Sequence, residues 1–268
     1  MQCQISDPSQ LVLLERYNDG VAVLTVNNPP LNLFTLAMTR AFDWRLREIA
    51  VDPGIRAVVL TGSGTKAFGA GSDIKEFKEM FESGQVIDRK LRYENEVFTR
   101  LEDLPQPTVA AIRGVALGGG LELALCCDLR VAGQSSRLGL PEVKLGVFPG
   151  SGGLVRLPKI IGETRAKELM YLGEPISAEQ ALTWGLLNKV VPDEDVLGTA
   201  MSLAAELAKR PAVAIRVMKK GIREARVLGR EAAIEATYPL SETVFASNDI
   251  KEGVAAFFAK RPPEFKHS

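Results

Sequence analysis

Two glutamates sit among residues that suit carboxyl chemistry. Glu122 comes two residues after the run Gly118-Gly119-Gly120 and is surrounded by Leu121, Leu123, Ala124 and Leu125. Apolar neighbours strip water from a carboxyl and raise its pKa toward the range useful for proton transfer near neutral pH. Glu142 follows Pro141 between Leu140 and Val143, just ahead of the glycine turn Pro149-Gly150-Ser151-Gly152-Gly153. Taken singly, Glu122 could equally complement a helix dipole, and Glu142 reads more simply as a turn or capping residue.

Two glycine-rich segments, 62–72 and 114–120, change that balance. Each follows a predicted strand and runs into a helical pattern, so each places backbone N–H groups at a helix start, where donors are unpaired and the potential is positive. Such donors stabilise an oxygen that turns negative during a reaction, and glycine lets a substrate come close. Tight packing turns are the structural alternative for either segment alone, and two together weaken it. Neither has Walker or G-x-G-x-x-G spacing, and no G-x-S-x-G elbow exists at Ser72 or Ser151. The one histidine, His267, stands next to the C-terminus, which removes Ser-His-Asp and Cys-His catalysis and multi-histidine zinc sites.

The elements that must hold these residues can be read from periodicity. Apolar runs at 11–16 and 21–26 flank Asn18-Asp19-Gly20, a hairpin signal. Met38, Phe42, Leu46 and Ile49 mark an amphipathic helix over 35–50 with Thr35 as N-cap. Short β-branched runs at 57–61 and 108–112 are separated by helical patterns at 74–81 and 87–104, and 121–127 and 129–132 continue the alternation. That order predicts an α/β fold with a parallel, right-handed wound sheet. Helical runs at 196–210, 212–228, 231–247 and 249–260 then follow. No linker divides the chain, so 1–195 is expected to be the catalytic core and 196–268 a helical region of the same unit.

The 268 residues are 46% hydrophobic and 25% charged, an ordinary globular composition with enough length for a sizeable core. Lys plus Arg and Asp plus Glu balance at 33 each, which leaves no net field to attract nucleic acid or an anionic membrane. The apolar run 115–132 is interrupted by Glu122, Asp128 and Arg130, so it is not a spanning helix. The first ten residues lack the order of a secretory signal. Cys3, Cys126 and Cys127 make an odd count, and the adjacent pair in an apolar run reads as core packing, which fits a reducing, cytoplasmic setting.

The motif 66–76, Lys-Ala-Phe-Gly-Ala-Gly-Ser-Asp-Ile-Lys-Glu, then Gly114 to Glu122, Pro141-Glu142 and the 149–153 turn together resemble the enoyl-CoA hydratase (crotonase) family in order and spacing. The similarity runs from Asn27 to Phe265. It implies a crotonase-like right-handed spiral of ββα turns with a helical C-terminal region, assembled as a homotrimer or homohexamer. It implies an oxyanion hole from the N–H groups of Ser72 and Gly119, with Glu122 and Glu142 activating one water. Ser72 stands where alanine is commonest, but a backbone donor survives that change. Coenzyme A, as part of the substrate, would run along Ala70, Ser72, Asp73, Ile74 and Lys75 beside Leu31, its phosphates met by Lys75 and by Lys260 or Arg261. For Lys260 and Arg261, as for Lys219, Lys220 and Arg223, a solvated basic surface is the simpler reading. Phe77, Met80, Phe81 and Phe148 are candidates for the acyl pocket or simply core.

The resemblance implies hydration of a trans-2-enoyl-CoA, or the reverse dehydration, with no metal or redox cofactor. Double-bond isomerisation by a single base and non-catalytic acyl-CoA binding are the competing functions. Retention of both glutamates favours hydration, and a dienoyl isomerase would carry an Asp near Gly150, which is absent.

Overall fold

The structure is a computed structural model describing residues 10–268; Cys3 and the side chain of Phe77 lie outside the described residues. The hairpin forms as expected, from β1 (Val12–Arg16) and β2 (Val21–Val26), turned at Gly20 with φ +85°. After it, α1 (Leu36–Val51) starts at Thr35, whose side chain accepts from the Met38 N–H. Its stripe of Met38, Phe42, Leu46 and Ile49 is buried.

A unit of strand, short strand and helix then repeats. The first is β3 (Ala57–Gly62), β4 (Ala67–Gly69) and α2 (Ile74–Glu82), with α3 (Arg92–Glu102) added behind a π turn at Ile87–Leu91. The second is β5 (Thr108–Ile112), β6 (Val115–Leu117) and α4 (Gly119–Leu125). The third is β7 (Leu129–Gly133), β8 (Arg137–Gly139), a 3-10 turn at Pro141–Leu145, α5 (Gly153–Ile161) and α6 (Glu163–Leu172). Next come β9 (Ile176–Ser177), α7 (Ala178–Thr183) and β10 (Lys189–Val191).

Equivalent strands stack, which makes the spiral. One sheet has the order β1-β2-β3-β5-β7-β10 and the other β4-β6-β8-β9. Contacts are parallel throughout except at β1 with β2 and β8 with β9. The single wound sheet predicted from alternation is therefore two sheets. Of the second sheet, β4 and β6 fall inside the stretches read as glycine loops, and strands of two or three residues are too short to show a period of two.

The central strands β3 and β5 of the larger sheet are buried on both faces, as a covered parallel sheet requires. Alternation sends Val58, Leu60, Ala110, Ile112 and Ala132 into the main core with α1 and α3. Val59, Val109, Ala111 and Val131 face the opposite way onto α8 (Val196–Ala208). That helix presents Val196, Ala200, Ala204 and Ala208 at spacings of four, small residues that let its backbone lie close to the sheet.

Four further helices follow: α9 (Ala212–Ala225), α10 (Arg230–Glu235), α11 (Thr237–Phe245) and α12 (Asn248–Phe258). The run read as one helix over 231–247 breaks at Ala236 into α10 and α11. Neither of these two buries a residue within the chain, and Ile234, Tyr238, Phe245, Phe257 and Phe258 are exposed. No helix among the described residues is long and apolar enough to cross a membrane.

One packing contact fixes the site's geometry. A Cβ on Gly120 would land on the carbonyl oxygen of Gly69, so the start of α4 presses directly on β4. Gly120→Ala is expected to destabilise the fold by about 3 kcal/mol or more, since the obstacle is backbone and cannot rotate away. Gly198→Ala in α8, where a Cβ meets nothing within 4 Å, should be neutral or stabilising by up to ~1 kcal/mol. Urea denaturation of both variants checks the pair, and equal stabilities would contradict it.

Candidate active site

The loop after β4 is sewn to the segment before α1. Ala70 N–H donates to Leu31 O at 3.0 Å, Phe34 N–H to Gly71 O at 2.9 Å, and Asp73 N–H to Phe34 O at 2.9 Å. Phe34 and Ser72 thus form an isolated parallel bridge in which Gly71 and Asp73 supply the pairing groups. Successive peptide groups of an extended strand point to opposite sides, so the Ser72 N–H faces away from Phe34. Gly119 approaches from that loop's far side: a Cβ on Gly71 would stand 3.9 Å from the Gly119 nitrogen. As the first residue of α4, Gly119 carries an N–H that no preceding helical turn can use. The two expected oxyanion donors therefore belong to neighbouring loops.

Glu122 sits in the first turn of α4 and is 2% exposed. Its Oε1 accepts two backbone N–H groups, from Ser151 and Gly153, each at 2.8 Å. Burial nevertheless dominates and pushes its pKa up to about 8, assisted by the negative charges of Glu142 and Glu94. Glu142 opens the 3-10 turn after β8, and burial pushes its pKa up to about 7. Its Oε2 is buried without a hydrogen-bond partner among the described residues, while Oε1 stands 3.1 Å from where a Cβ of Gly118 would be. Gly118, with φ +52°, is thus the glycine that leaves room for this carboxyl beside the N-terminus of α4.

The expected coenzyme A residues divide by position. Leu31, Ala70, Ser72, Asp73, Ile74 and Lys75 come together around the start of α2, where Asp73 is the N-cap accepting from Lys75 N–H at 2.9 Å. Leu31 and Ile74 expose 38% and 62% of their surface, and Lys75 is exposed. Lys260 lies beyond α12, and no hydrogen bond or ion pair among the described residues joins it to that loop. Arg261 is held by Glu252 through bonds of 2.6 and 2.9 Å. Lys219 pairs with Asp128 at 2.8 Å, and Arg223 pairs with Asp103. Of the acyl-pocket candidates, Met80 is buried, and Phe81 and Phe148 are exposed.

Cys126 and Cys127 are buried and their thiols are pushed up in pKa by burial, Cys127 to about 12, so neither is a ready nucleophile. Sequence reasoning overlooked Lys90, Glu94, Asn95 and Arg156, which lie buried or half-buried behind Glu122. Lys90 and Glu94 stand four apart in a helical pattern, a spacing that normally marks a solvated pair. Only the packing of α3 against the 149–153 turn reveals otherwise.

A carboxyl with a raised pKa binds its proton in the folded state at a pH where the unfolded chain has already lost it. Between the ordinary value of 4.5 and about 8 the folded protein therefore holds the extra proton on Glu122, and stability attributable to this group falls as pH rises through that window. Glu122→Gln, whose amide oxygen still accepts both N–H groups, should gain Tm over wild type progressively from pH 5 to pH 9. Thermal melts of the two proteins across that range check it; a constant difference would contradict it.

Comparison with known proteins concerns the chain as a whole. The family model described as enoyl-CoA hydratase/isomerase matches residues 16–268. A short-chain-enoyl-CoA hydratase of Clostridium acetobutylicum is 38% identical over 255 residues, covering 94% of this chain and 96% of that protein. A crotonyl-CoA hydratase of Syntrophomonas wolfei is 35% identical over 255 residues, covering 95% and 97%. The crystal structure of an enoyl-CoA hydratase from Bacillus anthracis superposes with a TM-score of 0.92 at 37% identity, covering 97% of this chain and all of that one. Matched over nearly its whole length in sequence and in fold, this chain belongs to the enoyl-CoA hydratase/isomerase (crotonase) family.

Proposed function

We propose that this enzyme is a hydratase-type lyase that adds water across a trans-2-enoyl-CoA to give the 3-hydroxyacyl-CoA, or runs the reverse dehydration, with Glu122 and Glu142 as its proton-transfer pair. The observation that carries the reading is a buried carboxyl, Glu122, and a half-buried one, Glu142, with pKa values raised to about 8 and about 7, beside the N–H groups of Ser72 and Gly119. The thioester oxygen accepts from Ser72 N–H and Gly119 N–H, each donor contributing about 3 to 4 kcal/mol as the enolate forms. Between those two pKa values the pair holds one proton, shared as a coupled unit. The ionised carboxyl takes a proton from water as its oxygen bonds to C3, and the protonated one delivers a proton to C2 as the enolate collapses.

The hydration requires neither metal nor redox cofactor, since the carbonyl is polarised by backbone donors and both protons move through carboxyls. Coenzyme A lies along Ala70, Ser72, Asp73, Ile74 and Lys75 beside Leu31, with Lys75 at its phosphates. Lys260 reaches a CoA phosphate from a neighbouring subunit in a homotrimer or homohexamer. Support for that assembly is the exposed apolar set on α9 to α12, including Met218, Ile222, Tyr238 and Phe245. On this reading residues 196–268 serve assembly and complete the CoA site, and the enzyme works in the cytoplasm on a diffusing substrate.

Loss of the conjugated thioester's ultraviolet absorbance with crotonyl-CoA and longer trans-2-enoyl-CoA esters tests the reaction. Wild type should consume substrate, and Glu122→Gln and Glu142→Gln should each lose about 10²- to 10⁴-fold in kcat. The wild-type rate should be bell-shaped in pH, with limbs near 7 and 8. Activity surviving either substitution, with a displaced double bond in the product, would replace hydration by isomerisation.

A further inference from the structure

Behind Glu122 runs a buried chain of polar contacts that water addition does not itself call for. Lys90, in the π turn before α3, and Glu94, in α3, are 2% and 1% exposed and paired at 2.6 Å. The other Glu94 oxygen, Oε1, accepts the Ser151 hydroxyl at 2.6 Å. The Ser151 N–H is in turn one of the two donors on Glu122 Oε1. The same turn is gripped from elsewhere: Arg156 Nη1 donates to Ser151 O at 3.3 Å while its Nε pairs with Glu102 at 2.8 Å, and Asn95 Nδ2 donates to Gly150 O at 2.8 Å.

Stability does not account for this arrangement, because well-packed apolar residues usually serve a core as well as a buried ion pair. Its location is informative. Glu94 Oε1 lies 3.8 Å from where a Cβ of Gly119 would stand, so a carboxylate sits next to an oxyanion donor. An uncompensated negative charge there would oppose formation of the enolate. The charged groups facing Glu122 are Glu142 from the turn after β8, Glu94 from α3, with Lys90 beside it, and Arg156 from α5.

We propose, on the hydratase reading above, that Lys90, Glu94 and Ser151 are positioning residues: Glu94 anchors Ser151 so that its N–H stays on Glu122 Oε1, and Lys90 cancels the charge of that anchor beside the oxyanion donors. Glu94 therefore acts through Ser151 on the orientation and proton affinity of Glu122, and touches no substrate.

Three variants decide it: Ser151→Ala, Lys90→Met and the double variant Lys90→Met/Glu94→Gln, each confirmed as folded by circular dichroism. Ser151→Ala should lower kcat about tenfold, and Lys90→Met about a hundredfold, with KM changed less than about threefold, the signature of an interaction expressed in the transition state. The double variant, neutral again and with an amide oxygen left to accept from Ser151, should recover about tenfold over Lys90→Met. Titration of the Glu122 carboxyl by ¹³C NMR of the ligand-free protein, assigned with Glu122→Gln, gives a readout independent of turnover. Its midpoint should rise in Ser151→Ala and Lys90→Met and return in the double variant. Absence of wild-type turnover would sink the hydratase reading and leave the titration to judge the positioning role. An unmoved Glu122 titration, or a double variant no better than Lys90→Met, would overturn the proposal.

Discussion

The contact on which the site depends is the one between the first turn of α4 and the carbonyl of Gly69. Because Gly120 has no side chain, the helix start lies against β4, and the two glycine loops that follow equivalent strands of the smaller sheet are brought edge to edge. Ser72 and Gly119 become neighbours as a consequence, although 47 positions separate them in the chain. The spiral is what makes this possible. Each ββα turn delivers its loop at the same height, so parallel pairing of β4 with β6, and of β6 with β8, lines up Ser72, Gly119 and Glu142 from three successive turns.

The same constraint sets the electrostatics. Glu122 is carried on α4 immediately past the close approach, so it cannot avoid being buried. Two short N–H bonds favour its ionised form, yet desolvation outweighs them and its pKa ends well above the ordinary carboxylate value. Glu142 reaches a similar range by a simpler route, burial with one oxygen left unpaired. Two carboxyls whose environments place them about a unit apart near neutral pH can hold one proton between them, as water addition requires.

Local signals of glycine, apolar flanks and carboxyl type marked Glu122, Glu142 and both glycine loops as candidates, while their joint role rested on the family resemblance. The strand-helix order and the N-cap at Thr35 were legible for the same reason. The second sheet was not: β4, β6 and β8 are three residues each, too short for periodicity, and their partners lie one full turn of the spiral away. Lys90 and Glu94 were hidden by a different effect. Their spacing looks like an exposed helical pair, and only the folding of α3 over the 149–153 turn takes both charges out of water. The break at Ala236 does carry a local sign, since Pro239 in the first turn of α11 has no N–H to return to the Glu235 carbonyl.

The C-terminal helices extend the argument from the site to the molecule. Within one chain, Lys219 and Arg223 tie α9 to Asp128 and Asp103 of the core, and Arg261 is committed to Glu252, which removes them from the stock of cations free to meet a phosphate. Lys75 and Lys260 have no such partner among the described residues. Meanwhile α10 and α11 contain no fully buried residue and leave Ile234, Tyr238 and Phe245 facing water. Apolar surface on that scale is costly to leave solvated. Covering it with a second copy would remove that cost and bring one chain's basic C-terminal end toward another's substrate loop. A single requirement, burial of the helical face, would then serve both assembly and recognition of the CoA phosphates.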